Sequence, residues 1–442
     1  MSFKHALFCT IAAAALTNGP SPAAAQMRAT TITRVFWQDR ETQRLSYADV
    51  TTTNQWNLKR GWVTGIPKID ATGQSLGHMN QAGGLLALNV TGTSGGWVAI
   101  DSGAYEEPHG NHTHWKYNKL PATKLSNLKS DKTSGARTYV YDNQLYVTDP
   151  ALNGFTRANP SAVRYGGSSA TRFFKGGSGK LAVAAVNNAV AYATHEETGQ
   201  VDVVNLLKSS SEPAYSFMLG ADGVSAATAN SGKVFFAHEG GISWVFADTT
   251  TSRAADSVQI KKVTDSLASE TPMAAVNSFA NQRNWIVFTD AANSTVCLVN
   301  AAAQNPQVVR VPIETDKGLM LSDPSVVLSL GKRYAFVFQE RTDAAQEIQE
   351  QLTVIELDPN RDRDFSDARV KVSIPVGASR VSGGDGHHGI CFDAYGRHAI
   401  ITDPVDGILS VMSVQKMAIV ARFQVGGSPD RIMAVGAPEH FH

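Results

Sequence analysis

The sequence predicts an all-β protein built as a single β-propeller, with eight blades favoured over seven. Three observations lead to this fold class. Short apolar runs of strand type recur in units roughly fifty residues long, separated by turns rich in Gly and Asn. No long stretch carries the sustained apolar period of about 3.6 residues that a helix needs. Charged residues make up only 18% of the chain, which suits many strands and turns better than charged helices.

The repeat can be followed along most of the chain. Its strand runs lie at 34–37 with 44–50, 85–90 with 97–101, 138–149, 181–204, 234–248, 285–300, 334–357 and 398–414. The unit at 138–149 is the weakest match, so it decides between eight blades and seven. No stretch rich in Pro, Ser or charge divides the units, which predicts one propeller domain over residues 26–442.

The two ends of the chain are predicted to meet in one blade. The last unit has four strand runs, and a fifth run at 430–435 follows with no partner downstream. The first unit, by contrast, has outer strands but no innermost strand. Pairing the C-terminal strand with the N-terminal blade would close the ring and remove the exposed sheet edges.

The first 25 residues have the features of a secretory signal peptide. Lys4 gives a positive start, an apolar run follows at 6–16, and small residues at 23–25 supply a cleavage site before Gln26. The apolar run is too short for a permanent span, because a bilayer requires about 20 apolar residues. The sequence therefore predicts an exported protein without membrane insertion, which in a Gram-negative bacterium means a periplasmic one.

Charge and cysteine content narrow the function further. Lys+Arg and Asp+Glu both number 39, so net charge gives no attraction to nucleic acid, and we expect a monomer without a nucleic-acid partner. Cys297 and Cys391 remain once the signal is removed, each inside an apolar strand-like run. Side chains in different blades are too far apart for a disulfide, so both are predicted to be buried free thiols.

A polar insert near 103–137 interrupts the second unit and carries His109, His112 and His114. Neutral imidazole is a good zinc ligand, and a tetrahedral ion takes three or four such groups at about 2.0–2.1 Å. Alternate residues of an extended segment share one side, so His112 and His114 are predicted to face the same way. The cluster indicates a zinc site, and the alternative is a mobile, solvated loop with no fixed metal geometry.

A second cluster, Asp385, His387 and His388, stands in a glycine-rich segment before the innermost strand of the last unit. In a propeller that position lies beside the central channel, where ligands commonly bind. Because loops of different blades share one rim, we expect this cluster to add ligands to the same site. The alternative is a pair of histidines that are hydrogen-bonded in a polar channel mouth.

Other residues and motifs add little. His195 and His238 each follow a strand-like run and precede Gly or acidic residues, and we interpret them as surface residues in equivalent turns. The sequence has no phosphate-binding loop, no H-E-x-x-H and no C-x-x-C-H motif. Copper binds imidazole at least as tightly as zinc in the usual affinity order, so residue types alone leave copper as an alternative metal.

The histidine segments resemble those of a known family. The chain resembles the periplasmic zinc metallochaperones of the AztD family in three places: the segment 101–115, the tripeptide His387-His388-Gly389 and the segment 425–429. The resemblance covers the start of the mature chain and the last two units, and residues about 120–230 depart most. It implies a β-propeller that binds zinc and hands it to the solute-binding protein of an ABC zinc importer. The family's His-x-x-His-x-His pattern implies a zinc role for His109, His112 and His114.

Two further functions compete with this hypothesis. One is an exported metalloenzyme, a hydrolase, lyase or redox enzyme, in which the same histidines hold a catalytic metal in an open site. Such an enzyme needs a fixed general base beside the metal and a pocket of substrate size. The other is an interaction propeller in which the histidines bind no metal. We favour a zinc-binding protein that is not an enzyme, since a loop with three histidines suits metal release by ligand exchange.

Overall fold

The computed structural model describes most of residues 29–438. The described residues are 29–53, 55–63, 73–92, 94–110, 112–130, 136–167, 169–265, 276–345, 347–380 and 386–438. The predicted signal peptide lies outside them. No helix in this part of the chain is long and apolar enough to cross a membrane.

Thirty-three of the strands form eight antiparallel sheets around a central channel, so the prediction of an eight-bladed propeller is confirmed. Blade 1 contains β1 (Thr30–Asp39), β2 (Arg44–Thr52) and β3 (Trp56–Trp62). Blade 2 contains β4 (Gln74–Ala82), β5 (Leu85–Gly92) and β6 (Gly95–Asp101); the hairpin β7 (Tyr105–His109) and β8 (His112–Lys116) then precedes its outer strand β9 (Ala122–Ser130). Blade 3 contains β10 (Thr138–Tyr141), β11 (Gln144–Asp149), β12 (Gly154–Ala158) and β13 (Thr171–Lys175), with the one α-helix of the described chain, α1 (Pro160–Tyr165), between the last two. The doubtful unit at 138–149 is therefore a real blade.

The remaining blades follow the same meander. Blade 4 contains β14 (Val183–Val186), β15 (Val190–Thr194), β16 (Gln200–Asn205) and β17 (Tyr215–Met218). Blade 5 contains β18 (Ala226–Asn230), β19 (Lys233–His238), β20 (Gly241–Phe246) and β21 (Lys261–Lys262). Blade 6 contains β22 (Ala280–Gln282), β23 (Trp285–Asp290), β24 (Thr295–Asn300) and β25 (Val308–Pro312). Blade 7 contains β26 (Leu319–Leu321), β27 (Ser325–Ser329), β28 (Lys332–Arg341), β29 (Gln351–Glu356) and β30 (Arg369–Pro375). Blade 8 contains β31 (Ile390–Phe392), β32 (His398–Asp403), β33 (Ile408–Ser413) and β34 (Ala418–Gln424).

The predicted ring closure is also confirmed. The last strand, β35 (Pro429–Val435), pairs antiparallel with β1 and becomes the innermost strand of blade 1. Arg34 of β1 ties this blade to blade 2 from within the core: its guanidinium binds Asp49 of β2 at 2.6 Å and donates to the carbonyl oxygens of Ser102 and Tyr117 at 2.8 Å each. Removing either chain end would therefore open a sheet and expose unpaired backbone groups.

The core lies between neighbouring blades, where apolar side chains of adjacent sheets pack face to face. Tyr192 of blade 4 and Phe236 of blade 5, for example, are buried with ring centroids 6.4 Å apart. Each fully buried side chain of this size contributes roughly 1.5–3 kcal/mol through the area it removes from water. Cys297 and Cys391 are buried and unbonded in this core, as predicted, and burial raises the pKa of the Cys297 thiol to about 12.

The insert of blade 2 is shorter than the sequence suggested. The predicted loop near 103–137 includes β9, which is the regular outer strand of the blade and pairs along β6. A Lys-, Asn- and Ser-rich composition was typical of a loop, but an outer strand has one face in solvent and tolerates the same residues. The true insertion is therefore the segment at 102–121, and most of it is the hairpin β7–β8.

Candidate metal centre

The propeller has two ends, and the histidine clusters lie at different ones. We call the end where the chain enters each innermost strand the inlet end, and the end where it leaves the outlet end. Antiparallel pairing makes the third strand of a blade run parallel to the first, so β6 finishes at the outlet end and the hairpin β7–β8 starts there. His387 and His388 precede the innermost strand β31, which places them at the inlet end.

The hairpin is anchored over the outlet end of the channel. Trp115 packs beside the core of blades 1 and 2, and it lines a cavity of about 460 Å³ together with Ala394 and Gly436, which follow innermost strands. The Tyr117 hydroxyl donates to the carbonyl oxygen of Ala437 at 2.7 Å. Gly436 has φ +92°, and a Cβ there would collide with the Tyr117 hydroxyl. The hairpin therefore rests on the end of the closing strand.

The pairing register brings the three histidine positions to one side of the hairpin. His109 pairs with His112, and Glu107 pairs with His114. Residues that are directly opposite in an antiparallel pair share a side, and so do residues two apart on one strand. Positions 107, 109, 112 and 114 thus lie on one side of the ribbon, as predicted for the two on β8. Gly110 makes the turn between the strands at φ +61°, a conformation that favours glycine.

Two of these histidines already have a separation that fits a shared zinc ion. The His109 and His114 ring centroids are 5.3 Å apart and the rings meet edge to face at 68°. With about 2.0–2.1 Å from each nitrogen to the metal, two imidazoles on one tetrahedral ion have centroids about 5 Å apart. His109 is exposed and His114 is buried, so one ring of the pair lies at the surface and the other beneath it.

The rest of the ligand set is not fixed by the described residues. No group of three or more His, Cys, Asp or Glu side chains within the described part of the chain is arranged to hold a metal ion. The side chain of His112 lies outside that part, although its backbone belongs to β8. Glu107, opposite His114, forms a long ion pair with Lys116 at 3.4 Å, with both side chains largely exposed. A carboxylate in this place can accept a hydrogen bond from a ligating imidazole.

The second cluster has a different chemistry, because His388 is fully engaged in the core. Its Nδ1 donates to the carbonyl oxygen of Thr402 at 2.6 Å, and its Nε2 binds the carboxylate of Glu350 at 2.9 Å. The ring stacks on Phe338 with centroids 4.8 Å apart. Glu350 also accepts from Arg341 at 2.8 Å. Since a carbonyl and an ionised carboxylate can only accept, His388 carries both ring protons and a positive charge.

The electrostatics agree with this assignment. Burial alone lowers the pKa of His388, but the Glu350 hydrogen bond, the Glu340 charge and the Thr402 carbonyl outweigh it, so the pKa is raised. Burial tends to raise the pKa of Glu350, and its bonds to His388 and Ser379 reverse this, so that pKa is lowered. The two groups form a buried ion pair between blades 7 and 8. A nitrogen that carries a donated proton is not a metal ligand, so His388 acts here as a structural link.

His387, the other described residue of the second predicted cluster, is also bound to a carboxylate. The Nδ1 of His387 binds Glu340 at 2.8 Å, and this hydrogen bond is the main reason why its pKa is raised. Asp385 lies outside the described residues. The expectation that both histidine clusters share one rim is wrong. His388 precedes β31 at the inlet end, whereas Ala394, which follows β31, lines the same outlet cavity as Trp115 of the hairpin. The sequence pattern placed each cluster at a strand end without giving the direction of the strand.

Sequence reasoning missed the carboxylates, distant in sequence, that bind the inlet histidines. Glu340 and Glu350 carry no local motif, yet they hold both His387 and His388. Sequence reasoning also placed His195 and His238 in equivalent turns, and both do lie at the end of the second strand of their blades. They are nevertheless buried or half-buried, and His238 binds Ser243 at 2.8 Å. The signal that could have found them is the Ser or Asp on the next strand, within hydrogen-bond reach in a tight meander.

His195 forms the most chemically suggestive of these links. Its Nδ1 lies 2.9 Å from the Ser178 hydroxyl, and its Nε2 lies 2.7 Å from the Asp202 carboxylate. Asp202 also accepts from the Ser216 hydroxyl at 2.6 Å and the Gly177 amide at 3.0 Å, and hydrogen bonds, chiefly that of His195, hold its pKa well below its usual range against burial. The backbone N–H of Ser178 is used by the Thr194 carbonyl, so it is not directed at a reacting group. The network ties a loop to the blade.

The fold and the hairpin define an eight-bladed propeller that carries a histidine-bearing β-hairpin over the outlet end of its channel. Two solved structures of AztD from Citrobacter koseri each align with 93% of this chain and 100% of their own, at 14% identity, with TM-scores of 0.63 and 0.64. The structure of dihydro-heme d1 dehydrogenase NirN in complex with DHE aligns with 93% of this chain and 77% of its own, at 10% identity and a TM-score of 0.56. No protein-family model matches the chain, and no curated protein matches it. These similarities show a shared propeller fold, so the resemblance predicted from the sequence is confirmed at that level.

Proposed function

We propose that this protein is a periplasmic zinc-binding metallochaperone, which holds Zn²⁺ on the β7–β8 hairpin and transfers it to the solute-binding protein of an ABC zinc importer. The observation that carries the proposal is the geometry of the hairpin: one side holds positions 109, 112 and 114, and two of those rings are 5.3 Å apart. The likeness to AztD in fold, over nearly the whole chain, supports the same assignment.

The hairpin suits a cargo ion better than a permanent one. His109 is exposed at the tip, so incoming ligands of a partner protein can reach an ion bound there. His114 lies deeper, and Glu107 beside it can accept the N–H of a ligating ring. Imidazole must lose its proton to bind a metal. We therefore expect zinc affinity to fall steadily from about pH 8 to about pH 5.

The test compares zinc binding by the mature protein with that of a triple variant, His109→Gln, His112→Gln and His114→Gln, against a competing chelator. We expect the triple variant to lose at least about 100-fold in affinity, since the principal ligands are gone. Thr113→Ala is the matched control, because Thr113 is exposed on the same strand but on the other side of the ribbon. Equal binding by parent and triple variant would contradict the proposal. Copper is measured in parallel, since it binds the same ligands.

Transfer is tested separately. The zinc-loaded protein is mixed with the metal-free solute-binding protein of a zinc importer, and the metal content of each is measured after separation. Transfer through a direct complex should be faster than release of zinc to a chelator of equal affinity. Equal rates would mean that zinc passes through solution, which would leave zinc storage as the function of the hairpin.

The competing enzyme hypothesis makes a distinct prediction. The Ser178–His195–Asp202 network joins the residue types of a serine-hydrolase triad, but Nδ1 faces the serine and Nε2 the aspartate, the reverse of the usual arrangement. A fluorophosphonate probe reports a reactive serine directly. We expect no labelling, because the Ser178 amide is already bonded and supplies no oxyanion donor. Labelling that disappears in Ser178→Ala would reverse this assignment.

A further inference from the structure

The inlet end of the channel opens into a second cavity, of about 650 Å³, which the hairpin does not reach. Its walls come from the innermost strands of blades 1, 2, 3, 5 and 6 and from the segments that enter blades 4 and 7. The volume falls within the range of about 300–1,000 Å³ that is typical of small-molecule sites. We call this cavity the inlet pocket.

The lining of the inlet pocket is strongly biased towards positive charge. Among the described residues that line it, Arg137, Lys180 and Arg431 are cations and Asp323 is the one acid. Burial raises the pKa of Asp323, and this weakens its tendency to ionise there. Lys180 is partly countered by the Glu196 carboxylate at 3.9 Å, so Arg137 and Arg431 supply most of the positive field that a concave wall focuses on anions.

His78 adds a neutral donor rather than a further charge. The backbone N–H of Thr138 donates to His78 Nδ1 at 3.3 Å, so the ring proton of the neutral tautomer is on Nε2. Partial desolvation by the channel wall, followed by the charges of Arg431 and Arg137, lowers the pKa of His78, although its side chain is still open to solvent in the channel. The imidazole therefore stays neutral at physiological pH, and the two arginines are near enough to repel its charged form. His78 lies at a bulge within β4, which turns its position towards the channel.

The two arginines are held in different ways. Nη1 of Arg137 donates to the carbonyl oxygens of Ser225 at 2.7 Å and Asn277 at 3.2 Å, which fixes its guanidinium between blades. Arg431 is exposed on the closing strand and has φ +40°, an uncommon conformation for a residue with a side chain. Its neighbour Asp430 forms an ion pair with Arg40 at 3.2 Å and accepts a hydrogen bond from the Arg431 backbone N–H at 2.6 Å, so it counters part of the Arg431 charge as well.

We propose that the inlet pocket binds a small organic oxyanion, of the carboxylate or phosphate class, between Arg137 and Arg431, with His78 as a neutral hydrogen-bond donor. Guanidinium groups present fork-shaped pairs of donors that match both kinds of oxyanion. A neutral imidazole N–H can serve a hydroxyl or a carboxylate oxygen of the same ligand. This site is independent of the zinc proposal, because it lies at the other end of the channel.

The experiment uses the metal-free mature protein and three probes, inorganic phosphate, gluconate and citrate, each titrated calorimetrically at low ionic strength. We expect saturable binding of one equivalent of at least one probe, and the probe that binds identifies the class as phosphate or carboxylate. Arg431→Gln should weaken that binding at least about tenfold, since one charge-assisted contact is lost. Arg431→Lys keeps the charge but loses the paired donors, so its affinity should lie between that of the parent and that of Arg431→Gln. Lys180→Gln is the second neutralised variant, and a weakening of at least about threefold is expected.

Arg422→Gln is the matched control, because Arg422 is an exposed arginine on the outer strand of blade 8. It should leave the affinity unchanged within about twofold. The proposal is overturned if none of the three probes binds saturably. It is also overturned if Arg422→Gln weakens binding as much as Arg431→Gln does, since the attraction would then reflect surface charge in general.

Discussion

The hairpin histidines and the His387–His388 pair are the same residue type in similar sequence surroundings, yet the fold places them in very different environments. On the hairpin, His109 and His114 lie on one side of a two-stranded ribbon that stands outside the blade sheets. At the inlet end, His388 lies inside the core with both ring nitrogens donating to oxygen acceptors. At His388 the two acceptors decide the chemistry, because a ring that donates from both nitrogens has no lone pair left for a metal. A carboxylate within reach of a buried ring makes it a cation and removes it as a ligand.

Replacing His388 is the most direct test of whether this residue stabilises the fold and takes no part in zinc binding. His388→Ala would leave the charge of Glu350 buried beside Arg341 without its main partner, and breaking a buried pair in this way costs about 3–5 kcal/mol. We expect a loss of that size in the free energy of unfolding, measured with denaturant, while zinc affinity stays within about twofold of the parent. His387→Ala is the control, because the side chain of His387 is 47% exposed and should matter less. A large loss of zinc affinity in a folded His388→Ala protein would return His388 to the metal site.

The effect of replacing His388 on the free energy of unfolding should also depend on pH. The pKa of His388 is raised above its ordinary value of 6.5, so its contribution to stability is complete below pH 6.5 and is lost as pH rises through the folded value. The pKa of Glu350 is lowered from 4.5, so its contribution is present above pH 4.5 and is lost as pH falls. The stability difference between the parent and His388→Gln should therefore be largest between pH 4.5 and pH 6.5.

Zinc binding by the hairpin should show no such maximum. Protons compete with the metal at acidic pH only, so affinity should rise from about pH 5 and level off near pH 8. Measuring unfolding and zinc binding over the same pH series on one preparation therefore separates the two clusters. A stability difference that is flat across the range would contradict the charged state assigned to His388.

The features of the fold and the candidate site that depend on neighbouring residues could be predicted from the sequence, whereas those that depend on distant contacts could not. The last unit, predicted at 398–414, matches β32 and β33 of blade 8 to within a residue, because a meander is encoded by alternating apolar runs and turns. Ring closure followed from one unpaired strand, 430–435. The facing of the hairpin positions was predicted for His112 and His114 alone, and the pairing with His109 required the register.

The roles of the inlet histidines could not be predicted in the same way. His388 depends on Glu350, 38 residues away, and on Thr402 of the neighbouring strand. Nothing in a glycine-rich segment with two histidines distinguishes a ligand from half of an ion pair. The innermost strand of blade 2, β4, was not among the predicted strand runs. The alternation of strand directions could therefore not be counted from the channel to the insert, and the sequence prediction did not separate the outlet end from the inlet end.

A glycine pair tests how far the hairpin depends on its support. Gly436→Ala adds a methyl group at φ +92° that collides with the Tyr117 hydroxyl, whereas Gly426→Ala adds one at φ +69° with nothing within 4 Å. The backbone strain is similar in both and amounts to about 1–2 kcal/mol. The collision adds to it only at Gly436, where we expect a total near 3 kcal/mol in the free energy of unfolding. Zinc affinity should fall in Gly436→Ala alone, and an equal loss in both variants would mean that the hairpin is positioned independently of the closing strand.

The smallest change is Tyr117→Phe, which removes one hydroxyl beneath the hairpin and keeps the ring. The Ala437 carbonyl loses a buried hydrogen bond of 2.7 Å, and such a loss costs about 1 kcal/mol, or more if water cannot reach the oxygen. The ring contact with the Arg34 guanidinium, at 5.7 Å, is kept, so the core of blades 1 and 2 should remain packed. We expect zinc affinity to fall by less than about threefold, because the histidine side of the ribbon is unchanged. Hydrogen exchange on β7 and β8 is the sensitive measurement here: faster exchange confined to the hairpin would show that its anchor is local, whereas faster exchange throughout blades 1 and 2 would show that Tyr117 instead holds the closing seam.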